Sequence, residues 1–314
     1  MVDDRIQGVQ PVQPWLKHRS LVHAYTTRTL GNLSYRSGTR EEADAGRAVI
    51  ARELGIERHV MFSIPLGHTN KVAVLRSGQR KGAGEKAAPA EGAVDGGGGE
   101  EGKAGSLSGR LDERRYLEPT KGETREWGEL TPEAYARMPH DRNYVDGVVF
   151  DRPGIYSLII TADCAAVGLY DPKTGACGNA HVGLLGAVNQ LPQAMVAALE
   201  EEFGCEPENI EAVMFPAIRQ CHYDLSRSMT WQTVREDVFA AYGEGNPFYM
   251  SGFFDLPGFI RLQLMERGVP EDQIFDTGLC TVCHYDKFFS HVGAESAEAQ
   301  AIEGRFGAVV GRRE

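Results

Sequence analysis

Three strand-forming runs stand almost end to end in the stretch GIYSLIITADCAAVGLYDPKTGACGNAHVGLLG, residues 154–186. Residues 155–160, 165–170 and 176–182 are apolar and rich in β-formers, so the centre of this chain is committed to a sheet. Between the second and third runs, Asp171-Pro172-Lys173-Thr174-Gly175 has turn chemistry: Pro presets φ and Gly accepts a positive φ. A hairpin centred between Pro172 and Lys173 sets Cys164 opposite His181, with Cβ atoms about 5 Å apart. The period of two turns Val167 and Leu169 to the other face. A one-residue slip, or a bulge at Gly178, would break the pairing.

A thiolate beside an imidazole supports several chemistries. The two can act as nucleophile and base. They can be two ligands of a metal ion. Or Cys164 is a small core residue and His181 a hydrogen-bonded one. Gly183 and Gly186 frame the start of a helix just after His181, which brings free N–H groups and a positive dipole end near the pair.

The phrases TADCAAVGLYD and GNAHVGLLG resemble the ADC…HAGWRG signature of the YfiH/laccase-domain family. The likeness extends both ways. Tyr25-Thr26-Thr27-Arg28 and Asn32-Leu33 match that family's FTTR…NLG opening, with a shortened segment between them. His68 stands where the family has NQVHG, and Asp146 to Gly154 resembles DGxVTDRPG. Ala217-Ile218-Arg219-Gln220-Cys221-His222-Tyr223 occupies the place of GPAIGPCCYEV, with Arg219 and His222 as substitutions. Cys280-Thr281-Val282-Cys283 with Phe288-Phe289-Ser290-His291 matches CTxC…FFSHRR, and Gly304-Arg305 matches the closing GR.

The resemblance implies an α+β fold, a single domain of mixed and antiparallel sheet flanked by helices, over residues 20–312. It implies a zinc ion held by His68, Cys164 and His181. Three protein ligands and one open position are the pattern of a catalytic zinc. It further implies a purine nucleoside enzyme: phosphorolysis of adenosine, inosine or methylthioadenosine, or deamination of adenosine. Cys164, His181 and Arg28 are then the catalytic candidates, and Asn32, Arg219 and Arg305 the substrate-binding ones. One departure bears on this. The Trp and Arg of HAGWRG are Leu184 and Leu185 here, which removes a family cation and disfavours phosphate binding. Two other readings stay open: a zinc-binding member without turnover, and a metal-free Cys–His hydrolase. The family's older label, polyphenol oxidase, fits poorly. The nine histidines include no HxH pair, whereas copper oxidase sites need clustered imidazoles.

Charge and hydropathy narrow the partners. Net charge is −11 with a pI of about 5.4, and no basic stripe appears, so phosphate-neutralising contact with nucleic acid is not expected. No apolar run nears the ~18 residues of a spanning helix. The acidic, polar opening MVDDRIQGVQPVQPW has no secretory character. A cytoplasmic protein with free thiols and small-molecule partners, a nucleoside and phosphate, is the expectation.

Local signals fill in the rest. Residues 1–19 read as a loose lead-in and 20–27 as a strand. Thr39 with Glu42 forms a capping box for a helix to Leu54, with Ala43, Ile50 and Leu54 inward and Gly55 as stop. Residues 60–64 and 72–75 read as strands on either side of His68. Residues 77–109, with glycine unbroken from Gly96 to Gly99, are low-complexity and predict a disordered insertion within one domain. A short helix is expected near 132–137. One helix should follow Gly186, with Val188, Leu191, Met195, Ala198 and Leu199 inward, to Gly204. Strands at 210–215 and 308–311 and a helix capped by Asp255 complete the reading. Cys280-Thr281-Val282-Cys283-His284 has three interpretations. It is a CxxCH haem attachment pattern, a structural zinc site with His284 and His291, or, by the resemblance, a pair of packed or substrate-flanking thiols.

Overall fold

The first and last strands of the chain meet in one sheet. The computed structural model describes residues 8–35, 37–57, 61–64, 66–68, 70, 72–75, 145–294, 296 and 303–314. The expectations for 77–109 and for a helix near 132–137 lie outside the described residues. The first sheet contains β1 (Val9–Gln10), β2 (Leu21–Thr26), β3 (Met61–Phe62), β6 (Tyr156–Thr161) and β13 (Phe306–Arg312), ordered β1-β2-β13-β6-β3. The second contains β4 (Val72–Leu75), β5 (Gly147–Phe150), β7 (Ala165–Tyr170), β8 (Cys177–Val182), β9 (Glu211–Met214) and β12 (Ile274–Asp276), ordered β12-β9-β7-β8-β5-β4. Both are mixed. β3 runs parallel to β6, β4 to β5 and β12 to β9, and the remaining pairs are antiparallel. The β4–β5 pair sets Val72 beside Gly147, so the chain on both sides of 76–144 enters one sheet.

The central runs lack polar alternation because both faces of each sheet are covered. On β7, Ala165, Val167 and Leu169 face an apolar core shared with the helices. Ala166 and Tyr170 face the core between the two sheets, with Phe150, Val213, Phe306 and Val310. A side chain at Gly168 would crowd the core, since its Cβ would lie 3.0 Å from both Trp15 and Val310. The outer face of the first sheet packs Leu158 and Val309 against Leu33 and Ile50. Trp15 is wholly buried, edge-on to His23 and Tyr170, and β1 pairs with β2. Residues 8–19, expected to be loose, are therefore tied to the core through Val12 and Trp15. An indole removed from water is worth a few kcal/mol, and the β1–β2 hydrogen bonds add to it in offsetting the entropy of ordering this lead-in.

Helices cover the outer faces. α1 (Arg40–Leu54) begins as its capping residue predicts, with Thr39 Oγ1 accepting from Glu42 N at 3.1 Å, and stops at left-handed Gly55. Glu42 does not complete the box, because its carboxylate accepts from Asn32 N instead. The single helix expected after Gly186 is two, α2 (Leu184–Val188) and α3 (Leu191–Phe203), broken at Gln190 with φ 63°. α4 (Met229–Tyr242) carries only two buried side chains, Trp231 and Val238. That stripe is too sparse to be read as a period. α5 (Leu256–Glu266) starts at Asp255, which accepts from Gly258 N as expected.

Candidate metal centre

The β7–β8 register differs from the expected one by two residues. Ala166 pairs with His181 and Ala165 with Val182. The turn closes one step wider, with Asp171 N donating to Ala176 O at 3.0 Å, Asp171 Oδ1 accepting from Lys173 N at 2.7 Å and Gly175 at φ 77°. A two-residue shift keeps every side chain on its face, whereas a one-residue slip would have inverted them. His181 therefore stays on the side that Cys164 reaches. Cys164, just before β7, comes up beside Gly183 rather than squarely opposite His181. A Cβ on Gly183 would lie 2.8 Å from Cys164 Sγ and 3.2 Å from the His68 ring, so the absent side chain makes space for the cluster.

His68, Cys164 and His181 each offer one donor atom, and all three lie within 4.8 Å of one another. The two imidazoles meet edge to face at 5.1 Å. His68 is exposed on its loop with φ 55°, Cys164 is half-buried and His181 is buried. Behind them sits Asp146, fully buried. Its Oδ1 lies 3.0 Å from His181 Nδ1, and its two oxygens accept from Gly67 N at 3.2 and 3.1 Å. One carboxylate thus orients the His181 ring, leaving Nε2 for a ligand, and holds the loop that carries His68. A carboxylate–histidine pair behind a soft donor is the usual support of a metal-binding imidazole. A sulfur, two imidazoles and that support fit a zinc ion. The sequence shows Asp146 only as part of a family phrase. Its role needs the parallel β4–β5 pair, which brings Gly67 alongside.

Electrostatics favour the ligand form of the thiol. Burial alone would raise the Cys164 thiol, but the His181 charge and hydrogen bonds from His181 and His68 hold it down at about 6. Burial likewise opposes charge on His181. Cys164 and then Asp146 outweigh it and push that imidazole up to about 9. Both directions favour a thiolate–imidazolium pair before a ligand binds, and the thiolate is the form that binds metals. Tyr223 faces the same charges. Burial first, then Cys164 and Asp163, raise its phenol, which therefore remains a hydroxyl donor.

Asp163, the residue before Cys164, is the anchor of this corner. It sits at φ 80°. Its side chain accepts from Thr281 Oγ1 and Ser290 Oγ at 2.6 Å and from Val292 N at 2.8 Å, and its backbone oxygen accepts from Ile218 N at 2.8 Å.

The residues expected to contact substrate each have partners within the protein. Arg28 donates to Tyr285 O at 2.5 Å and stacks on the Tyr285 and Phe289 rings. Arg219 forms a bidentate pair with Asp276. Arg305 binds Glu303 at 3.1 Å and Gly304 O. The Asn32 side-chain oxygen accepts from Ser34 N and Arg305 N, both at 2.9 Å. Cys280 and Cys283 do not gather His284 and His291. They meet Cys221 and His222 instead, while His291 pairs with Glu303 at 2.7 Å. The separation in sequence hides this. The parallel β9–β12 pair brings the two loops together, and no local pattern encodes it.

With this geometry in hand, known proteins place the chain. The pattern of the family described as multi-copper polyphenol oxidoreductase laccase matches residues 125–313. The chain belongs to that family. Among its relatives, the mouse protein named purine nucleoside phosphorylase LACC1 is 31% identical over 172 residues, 52% of this chain and 36% of that one. The Bacillus subtilis purine nucleoside phosphorylase YlmD is 30% identical over 170 residues, 54% of this chain and 59% of that one. Adenosine deaminase RL5, from an unknown prokaryotic organism, is 28% identical over 156 residues, covering 46% and 56%. The chain thus spans roughly a third to three-fifths of the length of these curated relatives. The crystal structure of YlmD from Geobacillus stearothermophilus shares the fold, with a TM-score of 0.69 at 20% identity over 98% of this chain and 97% of that one. The α+β architecture expected from the resemblance, mixed sheet flanked by helices, is that fold. Among the described residues no helix is long and apolar enough to cross a membrane.

Proposed function

We propose that this chain is a purine nucleoside enzyme whose centre is a zinc ion held by His68, Cys164 and His181. The observation that carries the reading is the convergence of those three donors in front of buried Asp146. Zinc, when bound there, would polarise a substrate atom and acidify a water. The chain's own residues do the rest. Asp146 holds the proton on His181 Nδ1 and aims Nε2 at the centre. Cys164 supplies its charge as thiolate, Gly183 keeps the approach clear, and Tyr223 offers a hydroxyl proton. Named relatives include phosphorylases and a deaminase. For this chain we favour deamination. Phosphorolysis needs cations around phosphate, and Arg28, Arg219 and Arg305 are engaged by a carbonyl, Asp276 and Glu303. The family's description names copper, yet neither donor group among the described residues holds more than two imidazoles. One thiolate with two imidazoles suits zinc.

The test is product analysis of adenosine, inosine and methylthioadenosine on metal-loaded protein, with and without phosphate. Inosine from adenosine without phosphate is expected. Free purine base that requires phosphate would replace deamination by phosphorolysis. Absence of turnover on all three would leave a binding protein. Cys164→Ala should lower turnover by about 10³-fold or more, since metal activation is worth several kcal/mol. An unchanged rate would remove Cys164 from the centre.

A further inference from the structure

A second group of soft donors lies beyond Asp163, formed by Cys221, His222, Cys280 and Cys283. We propose that it is a closed four-ligand metal site of the zinc class, separate from the centre described above and structural in role. The geometry carries the argument. Cys221 Sγ lies 3.7 Å from both Cys280 Sγ and Cys283 Sγ. His222 Nδ1 lies 3.2, 3.7 and 3.5 Å from the sulfurs of Cys221, Cys280 and Cys283. The sixth edge, Cys280 to Cys283, is within 4.8 Å. A tetrahedral zinc with ordinary bond lengths needs edges of about 3.7–3.8 Å between sulfurs and about 3.5–3.6 Å from sulfur to nitrogen. Four of the five measured edges fall within about 0.1 Å of those values, and the fifth is shortened by the adjacency of Cys221 and His222. The sulfurs are too far apart for a disulfide, which needs about 2.05 Å, and all three cysteines are free.

The surroundings suit a thiolate cluster. Backbone N–H groups of Cys283, Arg219 and Val282 face the Cys280 sulfur, the support a ligating sulfur requires. Cys280 and Cys283 lie in one tight turn, with His284 N donating to Cys280 O at 3.0 Å. The loops leave the same ends of parallel β9 and β12 and are bridged at Ala217–Cys280. A Cys₃His set leaves no open position, so the site holds the fold together and does no chemistry. Binding releases three thiol protons, one from each cysteine, while His222 binds as the neutral ring.

The site has a consequence for its neighbour. Thr281, inside the Cys280–Cys283 turn, donates to Asp163 Oδ1, and Ile218, three residues before Cys221, donates to Asp163 O. Stapling these loops fixes both contacts that set the backbone entering Cys164.

The experiment counts zinc on the purified full chain under reducing conditions, by native mass spectrometry and elemental analysis. Two zinc ions per wild-type chain are expected. Cys164→Ala and the double variant Cys221→Ser/Cys283→Ser, which alters two exposed positions, should each retain one. Loss of zinc from the double variant with none lost from Cys164→Ala would sustain this site and sink the first. Full retention in the double variant would overturn this proposal. A readout on the unaltered protein backs the count. Zinc should protect Cys221 and Cys283 from alkylation, and cobalt(II) in Cys164→Ala should show the intense charge-transfer absorption of several thiolates. Equal alkylation with and without zinc, or no such band, would also overturn it. His222→Cys should keep the ion and His222→Ala should weaken it, a contrast that mere packing of thiols does not produce.

Discussion

The two donor groups stand on either side of Asp163 and differ in every respect that decides what a metal site does. The first has two imidazoles and one sulfur, with a fully buried carboxylate behind one imidazole. Its donors come from the His68 loop, from the bend just before β7 and from β8. The second has three sulfurs and one imidazole, supported by backbone N–H groups and drawn from two loops. Three donors leave room for substrate, and four do not. A buried carboxylate tunes an imidazole, whereas N–H groups merely support a sulfur. On the readings proposed above, chemistry and stapling share one corner of the fold, linked by Asp163, which precedes Cys164 and accepts from Thr281 between Cys280 and Cys283.

The sharpest way to break the comparison is at Asp146. Asp146→Asn should weaken metal binding or turnover at the first group by about 10–100-fold, the usual effect of removing a carboxylate behind a ligating histidine. Metal at the second group should be unaffected. Zinc titration with competition by a chelator reads both, and equal weakening of the two would show that they are one unit.

A smaller effect is expected at Gly183. Gly183→Ala places a methyl 2.8 Å from Cys164 Sγ. A displacement of a few tenths of an ångström should cost about tenfold in turnover, given that ~1 Å costs about 10². Thermal stability should fall by only a few degrees. Wild-type kinetics in this variant would show that the thiol has slack.

Acid separates both groups from the rest of the core. His23 is buried, and its imidazole accepts from Val12 N at 3.1 Å. Burial first, then the nearby His18 charge, lowers its pKa from 6.5 to about 4, against a raising backbone contact at Trp15. As pH falls, the unfolded chain takes up this proton before the folded one does. The stability concerned is complete above about pH 6.5 and is lost progressively toward pH 4, a few kcal/mol in all. In metal-free protein, His23→Gln should flatten that decline while Cys221→Ser leaves it in place. Denaturant unfolding between pH 4 and 7 measures it, and an undiminished slope in His23→Gln would assign the loss to other groups.

The smallest effect should follow deletion of residues 79–108, a segment whose composition offers little apolar surface. We expect the melting temperature to shift by only a few degrees and the metal content of both groups to stay the same. Aggregation of the shortened chain would show that the segment belongs to the core.

Much of the local structure was legible in the sequence because its causes are local. The runs at 155–160, 165–170 and 176–182 became strands through β propensity. Thr39 and Asp255 started helices because a side-chain oxygen can satisfy an N–H three residues on. The first donor group was named from His68, Cys164 and His181 by family resemblance, and the period of two kept Cys164 and His181 on one face despite the altered register.

What the sequence could not show is set by long-range pairing. α4 hid because its buried stripe holds two residues. The partners of Arg28 and Arg219 lie 257 and 57 positions away, and no periodicity reports which group a fold will set against a cation. Cys280 and Cys283 had nearby histidines at 284 and 291, yet the parallel β9–β12 pair delivers Cys221 and His222. The residue types alone determined that this chain carries soft metal donors on a sheet-rich fold. Which donors meet, and which meeting stays open, was decided by tertiary structure, because backbone hydrogen bonds between distant strands fix positions that side-chain pattern leaves free.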